Sequence, residues 1–154
     1  MEIINKKILI LFFLAVCVTP GYWIWLCLRP VEIVSVHQEN NYSDVLVRSF
    51  PPTDKGKILW WLENKNMLKE KHGIPKPGSD GSFVVVFWDF GDGYKETDGY
   101  DDLCFNDMKP PMNCIEKNSL LMVRNSENTG SYFVLDSGTY RMNNKGNIVK
   151  NKSD

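Results

Sequence analysis

The residues best suited to chemistry are seven carboxylates crowded between positions 89 and 107. The stretch reads "DFGDGYKETDGYDDLCFND", with a single lysine, Lys95, and three glycines that make it flexible. Ca²⁺ takes about six to eight oxygen ligands, and clustered carboxylates on such a loop can supply them, although the spacing is not that of an EF-hand. No other cofactor is expected. The candidate metal ligands are Asp89, Asp92, Glu96, Asp98, Asp101 and Asp102.

The same carboxylates could instead dock a basic partner or form a solvated acidic turn. Two tryptophans could enlarge a docking surface: Trp60 in a predicted helix, and Trp88 just before the acidic stretch. Neighbouring residues on a helix point about 100° apart, so Trp60 and Trp61 cannot both lie deep in a core. Packing in the core is the favoured role for each tryptophan, and a docking surface is the alternative. The candidate interaction surface is Trp60, Trp88, Asp98, Asp101 and Asp102.

No set of catalytic residues stands out, and we predict that the protein is not an enzyme. His37 is interpreted as a strand-end histidine, and His72 as a helix-end histidine whose charge suits the helix dipole. A general base would need a nucleophile nearby, which sequence alone cannot show. The chain has no "GxSxG" motif, and its "DFG" lacks the accompanying motifs of a kinase.

Two of the four cysteines, Cys104 and Cys114, flank the proline-stiffened segment "FNDMKPPMN". We predict a disulfide between them, with a pair of free thiols as the alternative; closing this loop stabilises a domain by about 2.5–3 kcal/mol. Zinc would need more ligands than the distant histidines supply. Cys17 and Cys27 lie in an apolar stretch and are interpreted as small hydrophobic residues.

Residues 8–28 form that apolar stretch, which contains no charged residue. As a helix it would span about 31 Å, close to the thickness of a bilayer's hydrocarbon core. Tyr22, Trp23 and Trp25 crowd its second half, where an aromatic belt would lie. A cleaved signal peptide is the alternative, but cutting after Gly21 would leave the apolar tail "YWIWLCL". We therefore expect a retained membrane anchor in contact with lipid.

The pattern of strands and helix in the remaining chain predicts one α+β domain. Strand patterns at "VEIVSVH" and "DVLVRSF" suggest a hairpin, and a helix is expected from about Asp54 to His72. The run "SFVVVFWDF" indicates a central strand, and four short strands follow the cysteines. We predict a mostly antiparallel sheet with one helix packed on it. The nearly balanced charge, 18 basic against 19 acidic residues, argues against nucleic-acid binding.

The strings "FWDFGDGYKE", "DLCF", "MKPPMNCI" and "MVRNSENTGSYFVLDSGTYR", with "LRPVEIVSVHQENNYSDVLVRSF" before them, closely resemble an enterobacterial family. Its members are small predicted membrane proteins of unknown function. The resemblance covers about residues 28–149 and implies a bacterial, single-span, envelope-associated protein. It supplies no reaction and no catalytic residues.

Together these observations predict a single-pass protein of the bacterial inner membrane. Residues 1–7 would form a cytoplasmic flank, 8–28 the anchor, 31–150 a periplasmic domain and 151–154 a frayed tail. A periplasmic location and the disulfide support each other, since the cytosol keeps thiols reduced. The expected function is binding to an unidentified protein partner, in one form as an immunity-type protein. The alternative is an envelope enzyme that uses carboxylates or a divalent cation.

Overall fold

The computed structural model describes residues 2–152 as two compact units that divide between Pro30 and Val31. Met1, at the start of the expected flank, and residues 153–154, at the end of the expected tail, lie outside the described residues. Each unit is described separately below.

The first unit is a single helix, α1 (Glu2–Leu28). Its segment Asn5–Leu28 has a mean hydropathy of 2.1 and no buried residue, so it is long and apolar enough to cross a membrane. Pro20 lies inside this helix and cannot donate the usual backbone hydrogen bond to the Val16 carbonyl. The Thr19 hydroxyl faces the preceding turn, 3.4 Å from the Ala15 carbonyl oxygen and 3.5 Å from that of Val16.

The second unit contains a seven-stranded sheet and a small hairpin. The strands are β1 (Glu32–Glu39), β2 (Tyr42–Arg48), β3 (Phe83–Asp89), β4 (Asp102–Cys104), β5 (Cys114–Glu116), β6 (Ser119–Ser126), β7 (Gly130–Leu135), β8 (Gly138–Met142) and β9 (Ile148–Lys150). The sheet has the order β1-β2-β3-β6-β7-β8-β9, while β4 pairs with β5. Only β2 and β3 are parallel among the described pairs, so the predicted α+β class is confirmed.

The helix α2 (Asp54–His72) connects the two parallel strands. The Thr53 side chain accepts a hydrogen bond from the backbone N–H of Gly56 (3.0 Å), which begins the helix. Gly73 ends it with φ 68°, a left-handed conformation that glycine adopts without steric cost. Ile58, Trp61 and Leu68 are its buried residues and face the sheet.

Both faces of the central strands are covered, which explains the uninterrupted apolar run in β3. The first face packs against α2 and contains Val45, Val47, Val85, Phe87 and Val123. The second face contains Leu46, Val86 and Trp88 and packs against Phe90, Phe105 and Ile115. The last three residues belong to a segment of residues 90–118, here named the cap segment, which includes the β4–β5 hairpin. The sequence predicted cover on one face of the sheet, whereas the structure covers two.

Candidate binding cleft

The candidate site starts from two residues that lie directly opposite each other in the sheet. His37 of β1 and Asp44 of β2 are partners in the antiparallel pair, so both side chains lie on the same face. This is the face that the cap segment covers. His37 is 8% exposed although β1 is an edge strand. Only cover from another part of the chain can bury a side chain at that position.

The cap segment supplies that cover through three side chains. The Nδ1 atom of His37 lies 2.7 and 2.8 Å from the two carboxylate oxygens of Asp107, and its Nε2 lies 2.8 Å from the Tyr94 hydroxyl. The ring of Phe105 stacks on the imidazole with a centroid distance of 3.8 Å. A carboxylate only accepts hydrogen bonds, so Nδ1–H donates to Asp107; in the neutral imidazole Nε2 then accepts from the Tyr94 hydroxyl. His37 therefore connects the cap segment to the edge of the sheet through hydrogen bonds and a ring stack.

Only one of the two carboxylate oxygens of Asp44 accepts a hydrogen bond from the described residues. Its Oδ1 accepts a 2.7 Å hydrogen bond from the Trp88 indole N–H, whereas Oδ2 has no hydrogen-bond donor among the described residues. Burial raises the pKa of Asp44, and the hydrogen bond from Trp88 opposes that shift. Asp44 is therefore a half-buried carboxyl group with one oxygen held by Trp88 and the other open to water.

A cleft of about 310 Å³ opens beside these residues. It contains three carboxylates and one imidazole, and no lysine or arginine lines it among residues 2–152. The Asp107 side chain is 56% exposed, so water reaches the cleft although His37 is buried. The lining residues are His37, Gln38, Glu39, Asp44, Cys104, Phe105, Asn106 and Asp107.

Ser35 is the side chain nearest His37 that could serve as a nucleophile. Its Oγ lies 3.5 Å from His37 Nε2, at the outer limit of a hydrogen bond, while the Tyr94 hydroxyl occupies the same nitrogen at 2.8 Å. Ser35 also does not line the cleft. The imidazole is thus fully engaged by the cap segment and is not poised to take a proton from Ser35.

The acidic residues between Lys95 and Asp102 form a closed turn, here named the acidic turn. The Lys95 ammonium lies 2.8 Å from Asp102, which also accepts hydrogen bonds from the Thr97 hydroxyl and the Asp98 backbone N–H. The hydrogen bond from Lys95 lowers the pKa of Asp102, and the same bond raises the pKa of Lys95. Part of the negative charge predicted for this stretch is therefore neutralised within the turn.

The outside of the acidic turn remains open to solvent. Tyr100 is 85% exposed, and its backbone N–H donates to the Asp98 carboxylate at 3.0 Å. The Asp101 side chain is 84% exposed and contacts only Lys117, at 3.4 Å, among the described charges. In the sequence the exposed Tyr100 thus lies between Asp98, whose carboxylate is 3.7 Å from the Lys95 ammonium, and Asp101.

A comparison with known protein families decides where the chain belongs. Residues 4–152 match the family described as "Enterobacterial putative membrane protein (DUF943)". The chain belongs to the DUF943 family. The resemblance seen in the sequence is therefore confirmed over nearly the whole chain. No curated protein and no solved structure matches it significantly.

The structure of this DUF943 member does not assemble the six candidate metal ligands into one site. Within residues 2–152, no group of three or more His, Cys, Asp or Glu side chains is placed to hold a metal ion. Asp102 is paired with Lys95, and Asp89 accepts a hydrogen bond from the Gly91 backbone N–H. Asp92 and Glu96 are exposed. Within the described residues the acidic stretch forms an ordered turn, and its metal-binding role stays a prediction.

The two tryptophans of the predicted interaction surface lie in different cores. Trp60 is half-buried on α2, and its ring packs against Phe50 and Phe87 at centroid distances of 5.4 and 5.7 Å. Trp88 is buried on the opposite face of the sheet, where it donates to Asp44. The part of the predicted surface that remains exposed is therefore the acidic turn.

The predicted disulfide is present in this DUF943 member, between Cys104 and Cys114. The two cysteines are directly opposite each other in the β4–β5 hairpin, so the bond closes the cap segment beside the cleft. Cys17 and Cys27 are free and exposed on α1. The sequence analysis left out His37 and Asp44 as a pair; their positions at either side of the turn "QENNYS" were the available signal.

Proposed function

We propose that this DUF943 member is a single-span protein of the bacterial inner membrane. In this proposal residues 31–150 lie in the periplasm and bind a partner, and they do not catalyse a reaction. Two features support the topology. The helix α1 is long and apolar enough to span a bilayer, and the domain that follows it contains a disulfide, which forms in oxidising compartments.

The observation that carries the binding role is the exposed face of the acidic turn. A solvent-exposed tyrosine costs little in a monomer but contributes strongly when a partner buries it, and tyrosine is enriched at interface hot spots. Tyr100 is exposed, and Asp98 and Asp101 are close to it in the sequence. Such a combination suits a basic partner surface, because complementary charge speeds association and buried aromatic area holds the complex.

One specific form of this proposal is an immunity-type protein that holds an envelope-acting toxin through the acidic turn. A periplasmic domain anchored to the inner membrane would be placed where such a toxin arrives. The partner's contact surface would have to be basic. A toxin gene next to the gene for this protein would favour this form.

A catalytic role is the alternative, and the His37–Asp107 pair is the observation that favours it. Both nitrogens of His37 are already engaged, however, and the nearest hydroxyl nucleophile, Ser35, is more distant than Tyr94. The carboxylates of the acidic turn are not gathered around one point among the described residues. These arrangements support a binding role more than a hydrolytic or metal-dependent one.

Photo-crosslinking in living cells tests the binding role. A photoreactive phenylalanine analogue at Tyr100 should yield a discrete adduct with a protein partner, because this side chain is exposed on the proposed interface. The same analogue at Leu59, an exposed position on α2, is the matched control and should yield none. Neutralising the neighbours with Asp98→Asn and Asp101→Asn should weaken the Tyr100 adduct. Absence of a Tyr100 adduct across several growth conditions would overturn the proposal.

A further inference from the structure

We propose that a cleft at one end of the sheet binds an acidic saccharide, that is, a sugar ring that carries a carboxylate or phosphate group. The cleft has a volume of about 380 Å³, which lies within the usual range for small-molecule sites. It shares no residue with the acidic turn, so it does not depend on the proposed protein partner. Its lining includes Asn41, Val84, Arg124, Asn125 and Tyr132.

One wall of the cleft is a row of side chains that crosses the second face of the sheet. Val84 of β3 pairs with Arg124 of β6, and Arg124 pairs with Tyr132 of β7. Residues directly opposite each other in antiparallel strands have side chains on the same face, with Cβ atoms about 5 Å apart. Tyr42, which pairs with Val84 and is 37% exposed, extends the row by one strand. No described residue of the cap segment lines the cleft, so the cap leaves this row open.

Arg124 gives the cleft a positive charge without a counter-charge. Its side chain is exposed and forms no ion pair with the described residues. Neither Asp nor Glu lines the cleft within residues 2–152. Asp80, in the turn before β3, accepts a 2.7 Å hydrogen bond from the Ser82 hydroxyl and is not part of the lining. A guanidinium group binds a carboxylate or phosphate through two parallel N–H donors, so Arg124 suits an anionic ligand.

A second arginine lies one strand beyond Tyr132. The guanidinium Cζ of Arg141 is 5.1 Å from the Tyr132 ring centroid, and the same side chain donates to the Thr129 carbonyl at 2.8 Å. Arg141 likewise forms no ion pair within the part of the chain that the structure describes. Because β7 separates β6 from β8, the backbones that carry the two arginines are about 10 Å apart. Acidic groups along a short sugar chain span such a distance.

Hydrogen bonds between turns fix the rim of the cleft. The Asn41 side-chain amide donates to the Ser82 carbonyl at 3.1 Å, and the Asn125 side-chain amide donates to the Gly81 carbonyl at 3.0 Å. The Oδ1 atom of Asn125 also accepts a 2.9 Å hydrogen bond from the Ser131 hydroxyl. A rim that is ordered before binding loses less conformational entropy when a ligand arrives.

A sugar ring suits this lining better than an apolar anion does. Val84 and Tyr132 are half-buried and offer apolar surface to the C–H face of a ring. The Asn41 amide is held through its nitrogen, which leaves Oδ1 free to accept a hydrogen bond. This oxygen and the Tyr132 hydroxyl suit the hydroxyl groups at the edge of a sugar, while Arg124 meets the acidic group.

The test uses the full-length protein in phosphatidylcholine nanodiscs and follows the ring signals of isotope-labelled tyrosine by nuclear magnetic resonance. Trigalacturonic acid is the probe, and neutral maltotriose is the control of matched length. Trigalacturonic acid should shift the Tyr132 signal in a saturable way, because Tyr132 lies beside both arginines; maltotriose should not. A Tyr132 signal that trigalacturonic acid leaves unmoved, or that maltotriose moves as strongly, would overturn the proposal.

Substitutions at the arginines show whether the guanidinium groups are responsible. Arg124→Gln removes a charge at an exposed position and should weaken trigalacturonic acid binding by about tenfold or more. Arg124→Lys keeps the charge but loses the planar fork, so we expect an intermediate loss of about threefold. Arg141→Gln should weaken trigalacturonic acid more than galacturonic acid, because only the longer chain reaches both arginines. Lys55→Gln, at an exposed position on α2, is the matched control and should bind as the native protein does. Native affinity in Arg124→Gln would exclude the site.

Three smaller ligands distinguish the sources of the negative charge. Galacturonic acid carries a carboxylate, and glucose 6-phosphate carries a phosphate. Tighter binding of the first would assign the cleft to uronic acid chains, and tighter binding of the second would assign it to phosphorylated sugars. Acetyl-Ala-Glu-Ala-amide represents an acidic protein segment, and tighter binding of this peptide than of either sugar would contradict the saccharide assignment.

Discussion

His37 and Asp107 are 70 residues apart in the sequence, yet both carboxylate oxygens of Asp107 lie within 2.8 Å of His37 Nδ1. The contact joins the edge strand β1 to the cap segment. With the Tyr94 hydrogen bond and the Phe105 stack, it places one imidazole at the centre of three side chains of the cap segment. This cluster adds polar contacts to the apolar packing of the cap segment on the second face of the sheet.

Replacing that imidazole should destabilise the domain. His37→Ala removes two hydrogen bonds and the surface that supports Phe105, so we expect the free energy of unfolding to fall by about 2–4 kcal/mol. Urea unfolding followed by tryptophan fluorescence measures the change. His72→Ala is the matched control, because His72 is exposed at the end of α2, and it should change stability by less than about 0.5 kcal/mol. Equal stability of the two variants would show that His37 does not secure the cap segment.

The Cys104–Cys114 disulfide should stabilise the folded domain, whereas the two cysteines of α1 should not contribute to its stability. Cys104→Ser combined with Cys114→Ser should lower the free energy of unfolding by about 2.5–3 kcal/mol, because the unfolded chain regains the freedom of the open loop. Cys17→Ser combined with Cys27→Ser should leave the same transition unchanged, since both residues lie on α1. A transition that is insensitive to the first pair of substitutions would contradict this role.

The pH dependence of the free energy of unfolding should reflect the raised pKa of Asp44. Burial raises its pKa in the folded protein above the ordinary value of 3.8, so the folded state holds this proton more tightly than the unfolded state does. The contribution of Asp44 to stability is therefore present at low pH. It is lost as the pH rises from about 3.8 through the raised value.

Asp44→Asn should remove this decline, so its stability relative to the native protein should improve as the pH increases across that window. Urea unfolding at a series of pH values measures the difference. Asp92→Asn, at an exposed position, is the comparison and should leave the native profile in place. A native-like decline in Asp44→Asn would assign the effect to another group.

Membrane insertion should depend on the apolar character of α1. An alkaline phosphatase reporter at the C-terminus should be active if the domain lies in the periplasm, and the protein should resist extraction by alkaline carbonate. Val18→Arg, near the middle of the apolar segment, should impair insertion at a cost of about 2.5–3.5 kcal/mol. Val18→Leu is the control and should insert normally. An inactive reporter on the native protein would exclude the proposed orientation.

The sequence predicted well those elements whose signals are local. The helix α2 has the predicted bounds because Thr53 caps its first turn and Gly73 ends its last. The Cys104–Cys114 bond was also predictable, since few cysteines were available and a short polar segment separates them. Each of these inferences needed only the residues close to the element in question.

The cluster around His37 could not be predicted in the same way. Its contacts depend on how the cap segment folds back across the sheet, which alternation along β1 does not reveal. Trp88 was interpreted first as a core residue of the sheet, and the structure buries it; what the sequence did not reveal is that its cover comes from the cap segment on the second face. Burial of a strand residue depends on which segment packs over it, and that segment is often distant in the sequence.

The parallel pairing of β2 with β3 has a consequence for the order in which the domain assembles. Tyr42 pairs with Val84, so this step closes a long loop that contains all of α2. Closing long loops slows folding, because chain entropy is lost before the contacts are gained. We expect substitutions at the α2–sheet contact, such as Ile58→Val, to slow refolding more than substitutions in the β7–β8 hairpin. Until that step is complete the apolar side chains of both strands are exposed, which leaves the incompletely folded domain prone to aggregation.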